Sequence, residues 1–253
     1  MKSARYDVGM MRQDFDYWSA LMAATECKQT LANKGIALHV TVDETEVSAS
    51  VERIGKPYLT PWLDPKKNDF TPENYFWLIA SRDGVPLIVG GGRLDVVGSN
   101  AAGHMFRAFS RGYGEGVVTG VSPEISSQLS GRICYLGDLF SKSGEGLGAP
   151  HRRLYLGVAN YIASQHFGAD YTYSFMRMRD VTRGSADLNG LDRRIYNPVR
   201  WGRVPEGRNE SEVIVFREAR HDIGYFDSLM QELAPHVPVP KAVRDDHEQA
   251  APA

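Results

Sequence analysis

The segment Ser143-Gly144-Glu145-Gly146-Leu147-Gly148-Ala149 brings three glycines together just ahead of Pro150, a residue suited to the first turn of a helix. Glycines leave backbone amides uncrowded, and a helix amino terminus adds unpaired N–H groups and the positive end of its dipole. The chemistry such a loop can do is to hold an anion, and a phosphate or pyrophosphate is the natural ligand. A plain flexible connection between strand and helix is the competing reading. His151, Arg152 and Arg153 follow in the first helical turn, where cations oppose the dipole at a cost of about 0.3–1 kcal/mol. A bound polyanion removes that conflict; side chains reaching remote carboxylates would also relieve it.

Three kinds of phosphate ligand compete for the loop. A nucleoside-triphosphate loop requires G-x-x-x-x-G-K-[ST], and no lysine follows these glycines. Gly144, Gly146 and Ala149 satisfy the looser dinucleotide pattern G-x-G-x-x-A, but that fold needs repeated β-α units. No Cys/His/Asp cluster has metal-ligand spacing, so no metal is expected, and His39 and His104 carry no special reading.

The elements around the loop can be traced from periodicity. Arg132 to Phe140 (RICYLGDLF) is an apolar run of strand length, with Asp138 at its carboxy end. Pro150 to Phe167 reads as a helix with a buried stripe of Leu154, Val158, Tyr161 and Ile162, stopped by Gly168. Ala169 to Met176 reads as a strand again, which makes a right-handed parallel crossover. Upstream, residues 12–33 place Phe15, Trp18, Leu21, Met22 and Thr25 at helical spacing, with Gly35 as the stop. Residues 36–54 suggest strands broken by a charged turn at Asp43 to Glu46, and 56–72 a proline-rich loop. Tyr75 to Ser81, Asp83-Gly84 and Val85 to Val97 spell a hairpin with a type I′ turn. Gly90-Gly91-Gly92 in its second strand signals a bulge or a close approach. Residues 98–131 are left open apart from a short helix around Met105 to Phe109. A helix over 179–196 weakened by Gly184 and Gly190, closing strands at Val199 to Val204 and Glu212 to Arg217, and a helix over Phe226 to Leu233 complete the reading.

The 253 residues are 42% hydrophobic and 24% charged, so the chain is expected to bury a core. One domain over 1–234 with an N-terminal elaboration, followed by a disordered proline-rich tail at 235–253, is the expected organisation. A net charge of -2 gives no drive toward nucleic acid or anionic membrane, and no signal peptide or apolar span occurs. The expected setting is therefore cytoplasmic and reducing, with Cys27 and Cys134 as small core residues.

This order of elements over about residues 73–217 resembles the GNAT superfamily of acyl-CoA-dependent N-acyltransferases. The resemblance implies an α/β fold: a mixed, mostly antiparallel sheet with flanking helices and one central β-α-β crossover. Members hold the CoA pyrophosphate on a [QR]-x-x-G-x-[GA] loop. Gly146-Leu147-Gly148 matches its end, with Gly144-Glu145-Gly146 as a second register, while Ser143 or Ser141 stands where glutamine or arginine is usual. The implied carrier contacts are Leu139, Ser143, Gly144, Gly146, Leu147, Gly148, Ala149, Arg152 and Arg153. The strand before the loop usually bulges in this family, splaying from the next strand to admit the pantetheine arm, and Gly137 is the candidate bulge residue. Acyl transfer needs a deprotonated amine and a protonated thiolate leaving group. Asp138 is the candidate base, with Glu145 as runner-up; its other reading is a structural carboxylate capping the loop. The resemblance further implies Tyr196 as the acid for the thiolate, late in the helix before the closing strands; its other reading is a packing residue.

The resemblance thus implies acetyl-CoA or another acyl-CoA as co-substrate and a small-molecule or protein amine as acceptor. A homodimer is left open. Two alternatives remain. Asn68 to Leu94 resembles acyl-homoserine-lactone synthases, although their E-x-S-R-F element is absent from YLGDLFSKS. A non-catalytic GNAT-like ligand-binding module also fits the departure at Ser143.

Overall fold

A computed structural model of the chain describes residues 17–141 and 146–233. The tail expected at 235–253 and residues 12–16 of the stretch expected to be helical, Phe15 included, lie outside them. The sheet has seven strands in the order β1-β2-β3-β5-β6-β9-β7. These are β1 (Ala37–Thr41), β2 (Tyr75–Arg82), β3 (Val85–Gly98), β5 (Gly131–Ser141), β6 (Tyr171–Arg177), β7 (Arg193–Tyr196) and β9 (Glu212–Glu218). Every neighbouring pair is antiparallel except β5 and β6, which run parallel. The expected mixed sheet with one crossover is therefore present, and the crossover is made by α5 (Ala149–Tyr161), which continues as one π-helical turn over Ile162–His166.

Strand alternation sorts side chains onto two faces. One carries Phe76, Leu78, Ile88 and Cys134 against α1 (Tyr17–Asn33), α5 and α8 (Asp222–Leu233). The other carries Tyr75, Trp77, Tyr135, Tyr173, Ile214 and Phe216. It is covered by α2 (Glu44–Ile54), by α3 (Ala101–Tyr113) and by Trp62 and Leu63 of the segment before β2. A small second sheet pairs β4 (Val118–Val121) with β8 (Val199–Trp201), and α4 (Glu124–Gln128) lies between β4 and β5. Cys27 and Cys134 are both free and buried.

The hairpin forms as the sequence spells it, with Asp83 at φ 50° and Gly84 at φ 74°, the left-handed pair that a type I′ turn needs. Four readings require correction. In α1 the buried side consists of Ala20, Ala23, Ala24, Cys27 and Leu31, whereas Trp18 and Met22 face outward. Small residues win because α1 packs tightly on α5: a Cβ on Gly157 would stand 3.2 Å from the Cys27 sulfur. Residues 44–54 are helical. Asp43 caps α2 by accepting from the Glu46 amide at 2.9 Å, and Val47, Val51 and Ile54 then share one buried stripe.

The helix expected over 179–196 breaks into α6 (Met178–Thr182), α7 (Ser185–Leu188) and then β7. Gly184 and Gly190, at φ 81° and 70°, take the left-handed turns that end each piece. The strand that closes the sheet beside β9 is consequently β7, while Val199 to Trp201 joins β4 instead.

Candidate active site

The local geometry of β5 governs the site. Val89 pairs with Phe140 and Gly91 with Gly137, so β5 carries one more residue than β3 across this interval. That excess is a β-bulge, and Asp138, at φ 53°, is the residue that takes the left-handed conformation. The sequence points to Gly137; the bend falls one residue later, and Gly137 serves a different need. A Cβ there would run into the phenol end of the Tyr135 ring, which folds over it.

Just ahead of the bulge β5 leaves its parallel partner. The two strands pair at Ile133↔Tyr171, Cys134↔Thr172 and Tyr135↔Tyr173, whereas β6 stays paired with β9 as far as Arg177↔Glu212. From Leu136 and Ser174 onward the strands diverge, and a passage opens between them. On the α5 face it is a narrow slot of about 40 Å³, lined by Leu136, Gly137, Tyr155, Asn160 and Ser174 among others. On the opposite face it widens into a cleft of about 510 Å³. Gly137, Leu139, Ser174 and Asn189 line both, so slot and cleft meet where the strands part.

The slot wall is set by close packing. Tyr155 donates to the Leu78 carbonyl at 2.7 Å, and a Cβ on Gly90 would stand 3.0 Å from that hydroxyl. Asn160 donates to the Asn189 carbonyl at 3.2 Å and to the Tyr225 hydroxyl at 3.3 Å. Its own carbonyl oxygen is buried with no hydrogen-bond partner among the described residues.

At the head of α5 the first backbone bond runs from the Arg152 amide to the Gly148 carbonyl at 2.9 Å. Among the described residues, the amides of Gly146, Leu147 and Gly148 donate to no protein oxygen. Ser143, Gly144 and Glu145 lie outside the described residues. The two arginines that follow have different surroundings. Arg153 is bound to Glu232 at 2.8 Å and to the Ser228 hydroxyl at 3.1 Å. Arg152 borders the cleft, and its buried Nε has no partner among the described residues.

In the cleft, Asp138 is ion-paired with Lys56 at 2.8 Å, with both side chains almost fully buried. It also accepts from the Thr60 hydroxyl at 2.8 Å and the Thr60 amide at 3.1 Å. Both of its oxygens are thus engaged by donors from the segment before β2.

A second carboxylate faces the same cleft. Glu212, the first residue of β9, lies on the face shared by Ile214 and Phe216 and contacts Arg208 at 3.4 Å. Burial pushes its carboxyl above the ordinary range, even against the opposing charge of Arg208, and its Oε2 has no partner among the described residues. Arg208 is boxed by the rings of Phe109, Tyr113 and Phe175 and donates to the Tyr113 hydroxyl at 2.8 Å.

Tyr196 does not lie late in a helix. It ends strand β7, half exposed, and points to the face opposite Ile195, which packs with Ile214. Two strand spacings, about 10 Å, separate β7 from β6. Tyr155 lines the slot and Tyr58 and Tyr135 line the cleft; of these Tyr135 is the one whose ring folds over Gly137, and burial holds its hydroxyl in the protonated form. Lys56, Tyr135, Asn160, Arg208 and Glu212 were not singled out by the sequence reading. No local motif marks them, because each acquires its role through long-range packing.

No protein-family model and no curated protein matches the chain. Solved structures do share its outline. An aminoglycoside N(6′)-acetyltransferase from Legionella pneumophila is 10% identical with a TM-score of 0.40, covering 78% of this chain and 96% of that one. An N-acyl amino acid synthase from uncultured soil microbes is 11% identical with a TM-score of 0.41, covering 77% and 94%. An agmatine N-acetyltransferase is 14% identical with a TM-score of 0.42, covering 72% and 99%. Likeness at this level assigns neither family nor activity. Among the described residues, no helix is long and apolar enough to cross a membrane, and no group of three or more His, Cys, Asp or Glu side chains could hold a metal ion.

Proposed function

We propose that this chain is a GNAT-type N-acyltransferase that moves an acyl group from acyl-CoA to an amine. The observation that carries the reading is the parting of β5 from β6 after Tyr135 and Tyr173, which opens a passage through the sheet beside Gly137. Strand edges freed there carry backbone donors and acceptors without a protein ladder, and a pantetheine arm bears amides able to pair with them. The amides of Gly146, Leu147 and Gly148, at the head of α5, then receive the pyrophosphate, with Arg152 beside them. Ala149 extends the same cradle and Leu139 lies against the arm, while Ser143 and Gly144 stay carrier contacts on the strength of the sequence alone.

On this reading the thioester reaches the junction of slot and cleft, and the amine approaches from the cleft. Glu212 is the group we assign as base: a buried carboxyl with a raised pKa and an unpartnered oxygen suits proton removal from an ammonium near neutral pH. The amine nitrogen attacks the thioester carbonyl, the C–N bond forms, the C–S bond breaks, and the thiolate takes a proton. Tyr135, at the junction, replaces Tyr196 as the proposed donor of that proton. Asp138 and Lys56 act by fixing the bulge.

Isothermal titration with acetyl-CoA and longer acyl-CoAs tests the reading, together with thiol release on adding amines. Binding in the micromolar range with acceptor-dependent release is expected. Absence of binding at millimolar ligand would falsify it.

A further inference from the structure

Resting on that reading of the cleft, we infer that its acceptor is an amine carrying a neighbouring carboxylate, an α-amino acid, rather than a simple alkyl amine. The observation is the incomplete pairing of two buried charges. Arg208 and Glu212 have side chains only 3% and 8% exposed, both line the cleft, and they meet through a single contact at 3.4 Å. A guanidinium facing a carboxylate ordinarily closes into a two-pronged pair at shorter distance. Here one nitrogen of Arg208, Nη2, and one oxygen of Glu212, Oε2, are each buried without a partner among the described residues.

Leaving a buried donor or acceptor unmatched is costly, more so for ionised groups. The aromatic box of Phe109, Tyr113 and Phe175 keeps the guanidinium in place, so it cannot swing out to seek water. The wall of the cleft therefore holds, just beneath its surface, one cationic donor and one anionic acceptor on residues that touch each other. Their joint complement is a ligand with an anionic acceptor next to a cationic donor, which is the head of an α-amino acid. Its carboxylate would take the Arg208 donor and its ammonium the Glu212 oxygen.

The assignment also balances chemically. The ammonium gives one proton to Glu212, the free amine attacks the thioester, Tyr135 protonates the departing thiolate, and the second nitrogen proton restores Tyr135. Amide, free thiol and a proton released from Glu212 to solvent are the products.

The test compares amino acids with the amines that differ from them only by loss of the carboxylate: histidine with histamine, tyrosine with tyramine, leucine with isoamylamine, lysine with cadaverine. With the full chain and acyl-CoA, thiol release should favour at least one amino acid over its matched amine by about 100-fold or more in kcat/KM, since a site built to pair a charged group rejects the analogue lacking it. Arg208→Gln should collapse that ratio toward one while acyl-CoA affinity, measured by calorimetry, is retained; where the variant does not fold, the wild-type ratio decides alone. Turnover of the bare amines equal to or better than that of the amino acids overturns the inference and leaves acyl transfer standing. So does acyl-CoA binding without transfer to any amino acid. Failure to bind acyl-CoA at all removes the underlying reading instead.

Discussion

The Lys56 ammonium lies 2.8 Å from the Asp138 carboxylate, and neither side chain reaches solvent to any extent. The contact joins the segment after α2 to the bulged residue of β5, elements 82 positions apart in sequence. A left-handed aspartate in mid-strand is unfavourable by itself, and this pair, with the two Thr60 donors, holds it.

Removing one partner strands the other. Lys56→Met is expected to destabilise the fold by about 3–5 kcal/mol, read from the urea midpoint. The double variant Lys56→Met/Asp138→Asn should recover much of that loss, because asparagine tolerates the left-handed backbone and needs no counter-ion. A single variant as stable as the wild type would show that the pair does not hold the bulge.

Glu212→Gln should lower kcat by about 100-fold or more with little change in acyl-CoA affinity. The working form is the unprotonated carboxylate, so activity falls as pH drops through its pKa. Because burial raises that pKa, the acid limb of the rate profile should stand above the ordinary carboxylate range, and the glutamine variant should lack it. An unchanged limb in the variant would place the base elsewhere.

Gly137→Ala forces a methyl into the Tyr135 ring. The expected cost is about 1–3 kcal/mol of stability from overpacking, visible in thermal melts. Displacement of Tyr135 into the passage should raise the acyl-CoA Kd by about tenfold or more, equivalent to about 1.4 kcal/mol. Unaltered affinity would mean that the carrier does not thread beside this glycine.

Arg152 and Arg153 should separate in their effects. Arg152→Ala is expected to weaken acyl-CoA binding about tenfold, with a steeper loss at high salt, since its buried Nε has no partner among the described residues. Arg153→Ala, already tied to Glu232 and Ser228, should leave affinity within about twofold and act on the docking of α8. Equal losses would count against the assignment.

Much of the frame was legible because it is written in short-range code. Asp83-Gly84 dictates its hairpin, Pro150 and Gly168 bound the crossover helix, and RICYLGDLF reads as a strand. Residues 44–54 were misread because valines and threonines there suggest strands, while the decisive Asp43-x-x-Glu46 cap was passed over as a turn. The outward placement of Trp18 and Met22 could not be seen in α1 alone, since it depends on how closely α5 approaches. Of the proposed site, only the carrier side has a local signature in the sequence, the glycine loop before Pro150. On the proposed acceptor side Arg208 and Glu212 are only four residues apart in sequence, and what tertiary contact alone reveals is their burial beside Phe109, Phe175 and Lys56.

The passage has a mouth on each side of the sheet, and kinetic order follows from that. On the proposed reading carrier and acceptor enter by separate doorways, so neither must depart before the other arrives, and no side chain needs to carry the acyl group in between. Initial-rate lines for one substrate at several fixed levels of the other would then intersect, and the polypeptide would never accumulate as an acylated species.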